Sequence, residues 1–126
     1  MVIDSSAIIA ILCNEPEAEH FTTAIENDPV RLMSVASLLE SSIVIESRYG
    51  VEGGRKLDLL TSKAQIKIEP VTVEQAEIAR VAFRTYGKRR HPAALNFGDC
   101  FSYALAKVLG ESLLFKGNDF SKTDLV

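Results

Sequence analysis

Four acidic residues stand where apolar runs end or helices begin. Asp4 closes the run Met1-Val2-Ile3, and Glu40 falls within the first two turns of the helix expected from Val35. Asp99 lies in the first turn of a helix opened by Asn96, and Asp119 follows the apolar run Leu113-Leu114-Phe115. If these carboxylates converge, each raises the pKa of the others and all oppose folding unless divalent cations neutralise them. An oxygen-only donor set with no neighbouring His or Cys cluster favours Mg²⁺ or Mn²⁺. Such a site suits phosphodiester hydrolysis, because the ion lowers the pKa of a bound water, orients it, and offsets charge developing on the phosphorus oxygens.

Each acid has a structural alternative. Asp99 reads equally as an N3 residue favoured by the helix dipole, Glu40 as the partner of Ser37 in a capping box, and Asp119 as a turn residue before Ser121. Asp4 is the hardest to explain in that way, since only Ser5 and Ser6 are near enough in sequence to satisfy it. Neither serine reads as a nucleophile, because no His or Lys is placed to activate it. Five cations, Arg80, Arg84, Lys88, Arg89 and Arg90, are crowded into one short stretch. Glu77, Arg80 and Arg84 share a helix face, the pattern of a solvated, ion-paired surface. Lys88-Arg89-Arg90 has no interleaved acids and shortly precedes Asp99, which suits either a solvated loop or contact with a polyanion backbone. His20 and His91 are not spaced as ligands and read as surface residues.

The elements that would position these groups alternate strand with helix. Met1 to Ile3 reads as a strand, Ser5-Ser6 as the cap of a helix over Ala7 to Leu12, and Pro16 as the opening of a second helix to about Glu26. Arg31 to Ser34 is a weak strand, followed by a helix from Val35 that Gly50 stops. Gly53 to Lys63 reads as an amphipathic helix with Leu57, Leu59 and Leu60 inward. Gln65 to Glu69 alternates with period two and is followed by Pro70, as an edge strand would be. Thr72 with Gln75 forms a capping-box signature for a helix to Tyr86, interrupted by Gly87. Asn96 and Gly110 bracket the helix that carries Asp99, and Leu113 to Phe115 reads as a strand buried on both faces. The expected fold is α/β, a three-layer sandwich with a mainly parallel central sheet flanked by helices.

With 126 residues the chain is read as one domain, residues 1–126, able to bury about two-thirds of its unfolded surface. A content of 47% hydrophobic and 25% charged residues is that of a folded globular protein. The formal net charge of −3 excludes bulk coating of nucleic acid but not a local basic track. Cys13 and Cys100 have no CxxC partner and read as buried thiols in a reducing compartment. The N-terminus lacks a basic leader, and Ala7 to Cys13 is too short to span a bilayer, so a cytoplasmic protein without a membrane partner is expected.

Three stretches, Met1-Val2-Ile3-Asp4-Ser5-Ser6-Ala7, Asn96-Phe97-Gly98-Asp99-Cys100 and Leu114-Phe115-Lys116-Gly117-Asn118-Asp119-Phe120, resemble those of the PIN-domain ribonucleases, in particular the VapC toxins of bacterial toxin–antitoxin pairs. The resemblance covers essentially the whole chain. It implies that Asp4, Glu40, Asp99 and Asp119 match the acidic quartet that holds Mg²⁺ or Mn²⁺, with Ser6 and Asn118 in supporting positions. It implies a parallel sheet sandwiched by helices, endonucleolytic cleavage of RNA, and a small VapB antitoxin whose tail occludes the acidic pocket. Ser5 stands where many relatives have Thr.

Two other functions fit less well. A phosphatase with a strand-end Asp nucleophile would want a second Asp two residues on, where this chain has Ser6. A PIN-like protein-binding module that has lost activity would be expected to lack one of the acids, and all four are present. The apolar pattern from Ala36 to Tyr49 offers more surface than one sheet face covers, which suggests a homodimer.

Overall fold

The computed structural model describes residues 1–125. Strands β1 (Val2–Ile3), β2 (Leu32–Ser34), β3 (Lys67–Glu69) and β4 (Leu113–Leu114) form one sheet in the order β3-β2-β1-β4. Every pairing is parallel, with Val2 beside both Leu32 and Leu113. Between the strands run helices α1 (Ser5–Leu12), α2 (Ala18–Asn27), α3 (Val35–Lys63), α4 (Val73–Tyr86) and α5 (Phe97–Leu109), and a 3₁₀ turn covers Phe120–Lys122. This is the expected α/β sandwich, with β3 at an edge as its alternating sequence and following proline require.

Successive strand residues point to opposite faces, and two residues of β1 suffice to define the layers. Ile3 joins Ile8, Phe21, Met33 and Leu57 in the core beneath α1, α2 and the second half of α3. Val2 faces the other way, onto Leu105 and Ala106 of α5. Beyond α5, Leu95, Tyr103 and Phe120 form a third cluster with Ala82 of α4. Because every strand is parallel, all four carboxyl ends lie at one edge of the sheet, where crossover connections leave room for a ligand.

Several local expectations need correction. The cap of α1 is Asp4 itself, not Ser5-Ser6: its side chain accepts from the Ser6 N–H, and the helix starts at Ser5, two residues before the expected Ala7. The second helix begins at Ala18, since Asn14 takes a left-handed turn (φ 50°) and Pro16 lies in the connection. Gly50 does stop the first helix, with φ 69° and ψ −163°, but the second follows at once, so α3 is two helical segments across a kink with no intervening loop. Leu59 faces solvent, while Leu57 is buried. The Thr72 box is half formed, because the Gln75 amide turns to the Pro70 carbonyl. Strand β4 is half-buried rather than enclosed. Cys100 is buried but Cys13 is only partly so, its sulfur facing Arg48 and Tyr49. His91 is built into its loop, accepting from the Ala93 N–H and meeting Tyr86 edge-on. Among the described residues no ion pair joins Glu77 to Arg80 or Arg84, so that face is solvated without being paired.

The segment after Asp119 is clasped to α5. Tyr103 Oη donates to Asp124 Oδ1 at 2.6 Å and Lys107 Nζ to Oδ2 at 2.8 Å. Lys107 first, and then Tyr103, hold the Asp124 carboxyl below its usual range. A depressed folded-state pKa adds stability above the unfolded value that is lost as pH falls through the folded one. Asp124→Asn is therefore expected to lower the urea midpoint most above about pH 5, by an amount that shrinks as pH falls through the folded-state value. An unchanging difference across that range would refute the clasp. At Gly50 the backbone occupies a region essentially reserved for glycine, so Gly50→Ala should cost about 1–3 kcal/mol in denaturant unfolding. An unaltered midpoint would mean that the helix straightens without cost.

Candidate active site

The acids reach the carboxyl edge of the sheet by four routes. Asp4 is placed by β1, where the alternation that sends Val2 toward α5 returns the next-but-one side chain to the same side. Glu40 rides on the second turn of α3, which starts directly at the end of β2 with Ser34 as its cap. Asp99 is the N3 residue of α5, and Asp119 sits where the chain after β4 enters the 3₁₀ turn.

Asp4 is only 2% exposed. Its Oδ2 accepts from the Ser6 N–H at 3.1 Å and its Oδ1 from Ser102 Oγ at 2.6 Å. Glu40 Oε1 accepts from Ser5 Oγ at 2.6 Å, so Glu40 pairs with the β1–α1 junction and not with Ser37. Asp99 and Asn96 form a reciprocal capping box: the Asn96 N–H donates to Asp99 Oδ2 at 3.0 Å, and the Asp99 N–H to Asn96 Oδ1 at 2.8 Å. The capping reading of Asp99 is thus true as well. Asp119 is exposed and accepts no cap bond, and it is Ser121 Oγ that donates to the Asn118 carbonyl. Ser6 Oγ accepts from the Lys116 N–H at 2.9 Å, tying the start of α1 to the segment that leads to Asp119. Lys116 Nζ reaches Glu15 at 3.0 Å and Glu17 at 3.3 Å, which secures the same junction from the α1–α2 side.

The electrostatics show how near the four acids stand. Burial pushes the Asp99 carboxyl up to about 7, opposed by the bond from the Asn96 N–H and aided by the charges of Asp4, Asp119 and Glu40. Burial, and then Asp99, lift the neighbouring Cys100 thiol to about 11, so it is no nucleophile at neutral pH. Yet no group of three or more His, Cys, Asp or Glu side chains among the described residues is drawn tightly enough to hold a metal ion as it stands. The expected convergence is therefore electrostatic and not a finished ligand shell. Asp4, Glu40 and Asp99 each carry a hydrogen bond from a serine or backbone donor on one oxygen. The donor set still fits a hard divalent cation, being all oxygen and carrying negative charge that no ion pair among the described residues offsets.

The basic run lies apart from these bonds. Lys88, Arg89 and Arg90 are all exposed, with Arg89 at φ 70° and the Arg90 guanidinium 5.9 Å from the centre of the Phe83 ring. Residues not singled out from the sequence include Ser102, Ser5 as the donor to Glu40, and Gly98. The available signal for Ser102 was a hydroxyl one turn beyond Asp99 in the otherwise apolar run Cys100 to Ala106. Gly98 matters because a Cβ there would fall 2.2 Å from Glu40 Oε2.

The model of the PIN domain family matches residues 1–126. Ribonuclease VapC30 of Mycobacterium tuberculosis is 57% identical over 125 residues, covering 99% of this chain and 95% of the relative. Ribonuclease VapC of Mycolicibacterium smegmatis is 58% identical over 125 residues, covering 99% and 97%. The crystal structure of Mycobacterium tuberculosis VapC20, a sarcin-ricin loop cleaving toxin, superposes with a TM-score of 0.81 at 19% identity, covering 99% of this chain and 95% of that one. A toxin–antitoxin complex from Klebsiella pneumoniae gives 0.73 at 17% identity, covering 99% and 93%. The chain belongs to the PIN-domain family, among its VapC ribonucleases.

The Gly98–Glu40 approach can be tested directly. Alanine favours a helix more than glycine does, so Gly98→Ala should not weaken α5. Its methyl would instead displace the flexible end of Glu40. Ribonuclease activity is expected to fall about tenfold or more with the melting temperature within a few degrees of wild type. Wild-type activity in Gly98→Ala would show that the position of the Glu40 carboxylate is immaterial.

Proposed function

We propose that this chain, a single PIN domain over residues 1–126, is the toxin of a toxin–antitoxin pair and cleaves RNA endonucleolytically with Mg²⁺ or Mn²⁺ held by Asp4, Glu40, Asp99 and Asp119. The observation that carries this reading is Asp99. Its carboxyl is lifted by burial and by three other carboxylates contributed from distant parts of the chain. Gathering carboxylates around a half-buried acid costs more than the helix caps return, which argues for a cation as the further partner. The ribonuclease names of relatives at 57% and 58% identity support the reaction class.

When bound, a divalent cation would supply Lewis-acid polarisation of the phosphate and a lowered pKa for water. The chain's own part is to hold the acids. Asp4 is fixed by donors on both oxygens, and Glu40 is oriented by Ser5. Asp99 keeps its place through the α5 cap. Ser6 and Asn118 support the site by tying the β1–α1 junction and the start of the 3₁₀ turn. Lys88, Arg89 and Arg90 contact RNA phosphates, which position the substrate without reading its sequence.

On the same reading the partner is a small VapB-type antitoxin, supported by the VapC naming of relatives and by the likeness to a toxin–antitoxin complex. A second copy of the chain would cover the outer face of α3, where Leu39 is 61% and Ile43 59% exposed. A cytoplasmic location agrees with there being, among the described residues, no helix long and apolar enough to cross a membrane.

The deciding experiment incubates the protein with structured cellular RNA and Mn²⁺ or chelator, beside Asp99→Asn. The amide can still accept from the Asn96 N–H, so the variant should fold with its melting temperature nearly unchanged. Cleavage should drop at least about a hundredfold, as it should for wild type in chelator. Cutting at the wild-type rate by purified Asp99→Asn would end this assignment.

A further inference from the structure

Serines inside helices usually return their proton to the carbonyl one turn back. In α3, Ser41 donates to the Ser37 carbonyl at 2.8 Å, Ser42 to Leu38 at 2.9 Å and Ser47 to Ile43 at 2.6 Å. Ser102 of α5 does otherwise. It is fully buried, and its hydroxyl proton goes to Asp4 Oδ1 at 2.6 Å, across 98 positions of sequence. Ser37 Oγ, also buried, lies 3.1 Å from Ser102 Oγ. The single Ser102 hydroxyl proton goes to Asp4, so between the two serines Ser37 is the donor. A directed chain therefore runs from α3 through α5 to the end of β1, each bond polarising the next.

We propose that Ser102, backed by Ser37, is a positioning residue of the active site, acting through Asp4. The buried hydroxyl keeps the Asp4 carboxylate in one orientation beside the other acids, leaving the remaining lone pairs of its oxygens for a divalent cation. This rests on the four-carboxylate reading given above. Two features separate it from ordinary core packing. The hydroxyl forgoes the local carbonyl that its neighbours in α3 choose, and the group it serves is a buried charge. Outer partners that orient a metal-binding carboxylate typically matter 10- to 100-fold for metal affinity or activity.

The test titrates Mn²⁺ calorimetrically into wild type, Ser102→Ala and Ser37→Ala, and measures urea midpoints in chelator for Ser102→Ala, Asp4→Asn and the double variant. Ser102→Ala is expected to weaken Mn²⁺ binding about 10- to 100-fold, and Ser37→Ala by a smaller factor. The rate of RNA cleavage should fall in kcat with KM for RNA little changed. A purely structural serine would lower the midpoint in chelator and leave Mn²⁺ affinity of the folded protein alone, and that result overturns the proposal. If Ser102→Ala does not fold, Ser37→Ala decides: weaker Mn²⁺ binding supports the chain, and wild-type affinity overturns it. If wild type itself fails to bind Mn²⁺, the metal reading falls, and the chelator midpoints still judge the bond. Ser102→Ala should then cost less in the Asp4→Asn background, whereas strictly additive losses would dismiss the coupling.

Discussion

Everything at this end of the molecule depends on satisfying one carboxyl group in the interior. Asp4 ends the inner strand β1 at 2% exposure, where a polar group left without partners is costly. It is tolerated because its two oxygens have separate donors, the Ser6 N–H and Ser102 Oγ. The first bond makes Asp4 the cap of α1, and the second fastens α5 to β1. The direction of α1, the docking of α5 and the location of the other acids are consequences of satisfying that single group.

The sheet explains why the remaining acids gather there. Parallel strands deliver their successors to one edge, and each strand here is too short to carry a functional residue anywhere but at its end. Ser34 terminates β2 and caps α3 in the same step, which places Glu40 less than two turns from the edge. The Asn96–Asp99 box does the same for α5. Close approach of α5 to α3 is possible only because residue 98 lacks a side chain, leaving its space to Glu40.

The fold was largely legible in the sequence because its signals are local. Asn96 and Gly110 bracket α5, Thr72 opens α4, and the alternation ahead of Pro70 marks an edge strand, all as found. The failures share a cause, which is that tertiary contacts chose between local options of similar energy. Gln75 left its capping role for the Pro70 carbonyl, Leu59 turned outward while Leu57 filled the core, and Cys13 met Arg48 and Tyr49 at the surface. The four acids could be singled out as candidates, since each lies at, or within two turns of, the start or end of an element. Their partners were not, because Ser5–Glu40 and Ser102–Asp4 join residues 35 and 98 positions apart and nothing in a hydroxyl's neighbours announces its distant acceptor.

The acids also serve the fold. Asp4 caps α1 and Asp99 caps α5, so two helix N-termini point their unpaired N–H groups and positive dipole ends at the cluster. Each is worth a fraction of a kcal/mol to about 2 kcal/mol, enough to offset part of the repulsion among carboxylates but not to abolish it. The Asp99 carboxyl is raised first by burial and then by the charges of the other three acids. One oxygen of Asp99 is committed to the Asn96 N–H, so any further partner of this carboxyl must use the other or displace that bond. The arrangement of donors behind the acids thus decides how much acceptor capacity they have left.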